Sequence, residues 1–588
     1  MKNGKVVILT LLIGISAIAM LCTKVEYGTA TLNRFNSYEE LKEFLQRERV
    51  YLYNPYLPSI NSYGSRAQMF DTMEGLDYSK TNIQVEGVDE ADIVKTDGEY
   101  IYVISGQKVI IVKAYPAEEA AVLSSITVNG TLKQLFINAD RLVVFYESGS
   151  YNEAKTCISI YGISDRAKPT NRSEIAVDGR YFSSRMIGNY VYVVIRKAAS
   201  LVDDEVALPK IYSEDKCRII PATDIYYSNI ADSGYIFTTI VTVNVMEEGQ
   251  EPNDETILSG WTTCIYVSLE NIYLAICDYD RTVLHRIHIE NGEISTVADG
   301  EVTGYALNQF SMDEHEGYFR IATTSQMTSS PEKSPILHLQ NNVYILNMDL
   351  NIVGKLESIA PGEKIHSARF MGDTFYLVTF RKTDPLFVIN LSDPYNPRIL
   401  GELEITGYSD YLHVYDENHV IGVGKETVGA EEGDFSWYQG VKISLFDVTD
   451  VTAPVELAKY EIGDRGTDSP VLNEHKAFLF DKEKNLLIIP VSVAEIDESQ
   501  YPNGVPPYAY GQVVWQGAYV FTISLELEEK IMLRGTITHI ENGNVHNASN
   551  YVTRALFIGE VLYTISDSKI KMNSLLDLAE INELDLNK

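Results

Sequence analysis

The chain writes one five-residue phrase four times: Gly, then Asp, Glu or Asn, then any residue, then an apolar residue, then Tyr. The copies are Gly98-Glu99-Tyr100-Ile101-Tyr102, Gly188-Asn189-Tyr190-Val191-Tyr192, Gly372-Asp373-Thr374-Phe375-Tyr376 and Gly559-Glu560-Val561-Leu562-Tyr563. Each reads as a tight turn feeding an apolar strand. Its recurrence across 588 residues implies a repeat architecture. A second phrase repeats in step: Asp165 to Pro169, Asp393 to Pro397 and Asp450 to Pro454, each Asp preceded by Ser or Thr. Strand, glycine turn, second strand, third strand, Asp–Pro turn and fourth strand together make one unit. The cleanest is 364–407, with strands expected at Ser367–Met371, Phe375–Phe380, Leu386–Leu391 and Ile399–Ile405. Its 44 residues are the length of one four-stranded propeller blade. Units begin near 87, 131, 180, 261, 305, 364, 408, 467 and 546. Propellers usually carry four to eight blades. The expected fold is therefore all-β: a β-propeller of about eight, within seven to nine, four-stranded blades, with two terminal units sharing a blade to close the ring and cover its edges. A double-sheet sandwich would not keep the internal order. A solenoid needs atypical polar caps, whereas the last unit, through Tyr551–Ile565, looks like the others.

Composition narrows the partners. Asp and Glu number 82 against 48 Lys and Arg, a net charge of −34. That balance repels nucleic acid and anionic membrane surfaces. At the N-terminus, Lys2 and Lys5 precede an unbroken apolar stretch from Val6 to Cys22. A charged n-region before a hydrophobic run is an export signal, and Ala17-Ile18-Ala19 fits a cleavage site. Its seventeen residues also reach the short edge of a membrane span, so an uncleaved anchor stays open beside a cleaved signal. Either way the body of the protein is expected outside the cytoplasm, secreted or anchored on the outer side of the cytoplasmic membrane. The expected divisions are 1–22 signal or anchor, 23–80 N-terminal helix and linker arm, and 81–588 propeller. Ser37-Tyr38-Glu39-Glu40 has capping-box spacing and is followed by Leu41, Phe44 and Leu45 on one face, a helix of about three turns ending near Arg49. Tyr51 to Lys80 is rich in Tyr, Pro and Ser without a clear period.

Three long segments, Thr81–Gly98, Ser367–Asp373 and Gly407–His413, are distinctive. Together they resemble a family of secreted prokaryotic proteins whose β-propeller domain is distantly related to WD-type repeats. The resemblance runs from about Thr81 to Leu586 and implies a fold and an extracytoplasmic location. It carries over no reaction and no catalytic residues.

Past the signal there are four cysteines, Cys157, Cys217, Cys264 and Cys277, an even number that permits disulfides in an exported chain. If Thr263–Tyr266 and Ile272–Ile276 form a hairpin turning at Glu270-Asn271, Cys264 faces Cys277 and the two can bridge; two separate buried thiols are the alternative. Asn129, Asn171 and Asn547 head sequons and are candidate glycan acceptors. Asn390 heads a fourth, at a strand end that suits it poorly. Metal candidates fall in two places. Glu86, Asp89, Glu90, Asp92 and Asp97 form an acidic entry of the kind that suits calcium, without EF-hand spacing. Asp410, His413, Asp416 and His419 have three-residue spacing, but in a strand they are split between two faces. No nucleophile elbow, phosphate loop or dinucleotide fingerprint is present, so no catalytic residue is assigned. Long aromatic loops remain. Trp437, Tyr438, Tyr508, Tyr510 and Trp515 are candidate anchors for an extracellular protein or glycan. The expected role is a non-catalytic binding or cell-surface interaction module. An exported hydrolase acting on polysaccharide or peptide, with Asp410 and Asp416 as paired carboxylates, is the alternative.

Overall fold

The inner strands of this chain are buried on both faces, as in Ile236–Asn244, where all nine residues are buried. A strand reads this way only when it is covered on both sides. The computed structural model shows the cover. It describes residues 32–48 and 77–587, apart from short breaks at 151–152, 214–215, 229–233, 279, 330–335, 382–383, 431–432 and 434. The apolar N-terminal run, its Ala17-Ile18-Ala19 site and most of the arm lie outside these residues. Among them no helix is long and apolar enough to cross a membrane.

Among the described residues nine sheets follow one another along the chain, each with an antiparallel core of four strands. Their first strands are Val94–Thr96, Thr131–Asn138, Arg180–Ile187, Thr262–Val267, Met312–His315, Lys364–Met371, Tyr408–Asp416, Leu479–Asp481 and Arg554–Ile558. Five begin within one residue of a unit start read from the repeats and the other four 7 to 12 residues after it, and the count sits at the top of the expected range. The sheets are blades 1 to 9 below. Nine large apolar clusters occupy the nine junctions, blade 1 against 2 and so on, and blade 9 against 1. The ring is closed. Within blade 1 the side chains alternate between junctions: Val109 and Ile111 enter the cluster shared with blade 2, Ile110 and Val112 the one shared with blade 9. This alternation follows from the strand's period of two.

Closure does not use a shared blade. Blade 1 is built from 94–127 and blade 9 from 554–585, each contiguous. Instead, Tyr563 donates to the Ala114 carbonyl at 2.7 Å, and Ser105 Oγ donates to the Asp567 carbonyl. The segment before blade 1 also pairs with blade 9: Tyr78 lies against Ile558 and Ser79 N donates to Phe557 O.

Blade 3 carries the largest elaboration. Between its second and third strands, residues 199–235 send Lys210–Ser213 and Lys216–Ile219 to extend blade 2, then return Ile225–Ser228 to pair in parallel with the outer strand of blade 3. Leu32–Arg34 joins that edge, and the helix Tyr38–Glu48 follows. Ser37 Oγ accepts from Glu40 N at 3.1 Å, the forward half of the capping box, while the Glu40 carboxylate takes Asn36 N at 2.6 Å. Leu41 and Leu45 bury into the junction of blades 2 and 3.

Candidate functional site

The segment that is most distinctive in sequence fills the centre of the ring. After Tyr78 and Ser79 on blade 9, Asn82 Nδ2 donates to His475 O ahead of blade 8 and to Tyr411 Oη of blade 7. Gln84 Nε2 donates to Met312 O of blade 5, Asp89 and Glu90 pair with Met186 and Arg185 of blade 3, and Asp92 pairs with Leu135 of blade 2. All of these strand partners lie on first strands, so first strands face the axis and the segment crosses it. Phe310 enters from before blade 5 and meets the His475 ring edge-on at 6.1 Å.

The plug is ionic. The Arg554 guanidinium grips Asp92 at 2.9–3.1 Å, and both are buried. Burial alone would raise the Asp92 carboxyl; Arg554, Lys476 and the Ile93 amide outweigh it and hold it below the usual range. Glu90 accepts from Gln309 Nε2 and Gln84 N, each at 3.1 Å, with Arg185 at 3.6 Å. His475 stands 3.5 Å from Glu90 and 3.6 Å from Glu474. Burial, then the nearby cations Lys476, Arg185, Arg369 and Arg554, keep its pKa well below the ordinary value, so the ring is neutral.

This arrangement answers the calcium reading of the acidic entry. Asp89 is bound by Lys95 at 2.7 Å, Asp92 by Arg554, and Asp97 by Arg166 at 3.2 Å and Tyr102 Oη at 2.9 Å. Asp97 also accepts from Tyr100 N at 2.8 Å, which shapes the first glycine turn. Each carboxylate has its own cation, and the three do not form an oxygen cage. Among the described residues, one group of three has ligand atoms within 4.8 Å of one another: His315, Glu316 and Asp373, on the turns of blades 5 and 6. Sequence reading missed it because the first two are 57 or more residues from the third.

The second metal candidate is split. Asp410 sits 3.4 Å from His366, His413 is buried against Phe478 and Phe480 with Tyr411 Oη at 2.8 Å, and Asp416 meets His419 at 2.7 Å and Lys482 at 2.8 Å. Asp410 is the third residue of the strand Tyr408–Asp416 and Asp416 the last. Six residues of strand separate them by about 20 Å, whereas paired-carboxylate hydrolysis works across roughly 5–10 Å. They do not form such a pair.

The predicted hairpin of blade 4 forms, with its register shifted. Cys264 pairs with Ala275 and Cys277 with Thr282, with a bulge between Thr262 and Cys264. The turn therefore falls two positions earlier in pairing sum than a facing Cys264–Cys277 pair requires. The two cysteines share a face on a diagonal, and no disulfide joins them. Burial pushes the Cys264 thiol up to about 12. Asn129, Asn171 and Asn547 are exposed, while Asn390 is half-buried and accepts from Ser392 N at 2.7 Å.

The aromatic loops do converge. They connect the second and third strands of blades 7 and 8, and four of the five candidate side chains meet there. Tyr438 and Tyr510 share a hydrogen bond at 2.7 Å, which raises the Tyr510 phenol, and Trp437 meets Tyr508 edge-on at 6.0 Å. The guanidinium of Arg465 is boxed by Tyr438, Trp437 and Tyr510 at 4.3–5.0 Å. Gln439 Nε2 ties the loops together through Pro507 O at 3.0 Å. Trp515 stays apart, packing on Tyr519 of its own blade. Beside the box lies a cleft of about 580 Å³ lined by Val428, Ile496, Val505, Tyr508, Asp464 and Glu498. Arg465 was not singled out in the sequence: no local pattern marks a cation that will be enclosed by rings from two other segments.

A closed ring of contiguous four-stranded blades defines a β-propeller. The chain belongs to the family described as the beta propeller domain, whose model matches residues 78–578 and so begins where the chain enters the channel. It is 29% identical to an uncharacterized protein of Methanocaldococcus jannaschii, over 93% of this chain and 90% of that one. It is 27% identical to an uncharacterized protein of Archaeoglobus fulgidus, over 78% and 86%. Among solved structures it is similar to the WD40 domain of Toxoplasma gondii coronin, at 13% identity over 51% of this chain and 67% of that one with a TM-score of 0.29. A protein from Lactobacillus plantarum matches at 11% identity over 61% and 93%, with a TM-score of 0.30.

Proposed function

We propose that the protein is a non-catalytic extracytoplasmic binding module that engages an extracellular protein or glycan through the cleft between the loops of blades 7 and 8. One observation carries the reading. Of the twenty large apolar side chains exposed among the described residues, seven lie on these two loops or the strand ends that carry them: Phe435, Val505, Tyr508 and Tyr510 on the loops, and Val428, Val513 and Val514 on the adjoining strands. Clustered exposure of this kind marks an interaction surface, and the cross-loop bonds hold it in place before a partner arrives. The extracytoplasmic location rests on the charged and apolar N-terminal run.

The test is capture. Protein beginning near Thr23 is exposed to its native cell-surface and medium fraction and crosslinked, beside the Tyr508→Ala variant. A defined partner held intact by the parent, and lost by the variant at unchanged melting temperature, is the expected result. A partner that is cleaved would favour the hydrolase, and equal retention by the variant would move the site elsewhere.

A further inference from the structure

We infer that the cleft takes a basic segment of a protein partner, with a lysine or arginine side chain seated beside Asp464 and Glu498. The inference rests on the binding-module reading and adds the chemistry of its partner. Val428, Ile496 and Val505 offer an apolar wall suited to an aliphatic stem, and Asp464 and Glu498 stand at the same cleft. Both carboxylates are exposed, as are neighbouring Glu495 and Asp497. Asp464 accepts only a backbone amide, Ile496 N at 2.8 Å, and Asp497 is bonded within its own turn to Ser499 and Gln500. Among the described residues none of the four has an ion-pair partner.

The cation closest in sequence, Arg465, is turned into the aromatic box and leaves the cleft acidic. A neutral sugar would call on hydrogen-bond donors. Of the two side-chain donors lining the cleft, the Gln439 amide is already engaged by Trp437 O and Pro507 O at 3.0 Å each, which leaves the Tyr508 hydroxyl. The charged groups left to a ligand are both carboxylates, Asp464 and Glu498, and an acidic rim around an apolar cleft complements a basic segment.

The experiment titrates full-length protein with a labelled tetralysine peptide and with tetraglutamate. Beside the parent run two variants of equal charge change, Asp464→Asn/Glu498→Gln at the cleft and Glu528→Gln/Glu529→Gln on the exposed turn 526–529. Tetralysine is expected to bind and to weaken by about tenfold in the cleft variant, a change of about 1.4 kcal/mol, while the control shifts by less than about twofold and tetraglutamate does not bind. No binding of tetralysine, equal loss in both variants, or equal binding of tetraglutamate overturns the assignment. Capture of the native partner separates this from the parent reading. If Tyr508→Ala abolishes capture and Asp464→Asn/Glu498→Gln leaves it intact, the cleft stands and the basic partner falls. If neither changes capture, both fall.

Discussion

The repeated tyrosine works as a stitch between blades. Tyr102 of blade 1 bonds Arg166 of blade 2, Tyr192 of blade 3 takes Gly292 N of blade 4 at 3.3 Å, and Tyr563 of blade 9 reaches Ala114 of blade 1. The glycine four residues before each of these, and before Tyr376, has positive φ, 54° at Gly372, which turns the chain at no side-chain cost. A second set of glycines escaped notice in the sequence because they sit in outer strands with no turn signal. A Cβ on Gly354 would stand 2.0 Å from Pro394 O of the next blade, and one on Gly401 2.4 Å from Val451 O. Backbone cannot move aside there, so Gly354→Ala should cost about 1–3 kcal/mol, seen as a lower melting temperature with the other junctions intact. Asp92→Asn should cost about 3 kcal/mol by removing the anion that grips the buried Arg554 and leaving it Glu474 at 3.6 Å. Because the folded Asp92 pKa lies below its unfolded value, that contribution is complete above about pH 4 and fades as pH falls toward the folded value.

At the scale of elements, the loops of three blades do work that the repeats do not encode. The insertion in blade 3 staples blades 2 and 3 and forms the seat of the N-terminal helix, where Tyr38 Oη accepts from Val206 N at 2.7 Å. The helix was legible from its capping box and its apolar stripe, but its dock was not, since Leu41 and Leu45 meet residues more than a hundred positions away. Leu41→Asp would put a charge where the side chain is fully buried. It should release the helix at a cost of roughly 3 kcal/mol, read as faster proteolysis within 32–48 while the ring stays resistant. The loops of blades 7 and 8 show the same division. Their aromatic content was visible, whereas their convergence, and the exclusion of Trp515, depended on two blades being neighbours.

The whole ring should be sensitive to acid because it buries histidines whose pKa values are lowered. Burial lowers His285 to about 4 and, with Lys571 and Lys569 nearby, His539 to about 3, and His475 lies in the same direction. Each folded pKa is below the unfolded value of about 6.5, so the unfolded chain binds protons first as pH falls. Stability should hold above about pH 6.5 and decline below it, before the carboxylates titrate. Melting temperature against pH checks the sign, and His475→Gln should flatten part of the slope. A melting temperature that stays level from pH 7 to pH 5 in the parent would contradict the burial of these rings as neutral groups.

The amino-acid sequence by itself determined the propeller, because turn chemistry and strand apolarity are local and repeat with the blade: Gly98, Gly188, Gly372 and Gly559 mark four of the nine first turns, and the unit 364–407 is found with its four strands in place. Tertiary structure alone decided what sits in the middle and what faces outward. Asp89, Asp92 and Asp97 look like ligands until Lys95, Arg554 and Arg166 arrive from elsewhere in the fold, and Cys264 loses its facing partner to a two-position difference in register. Charge pairing and register are set by which surfaces meet, and in a closed ring those meetings join residues as far apart as Asp92 and Arg554.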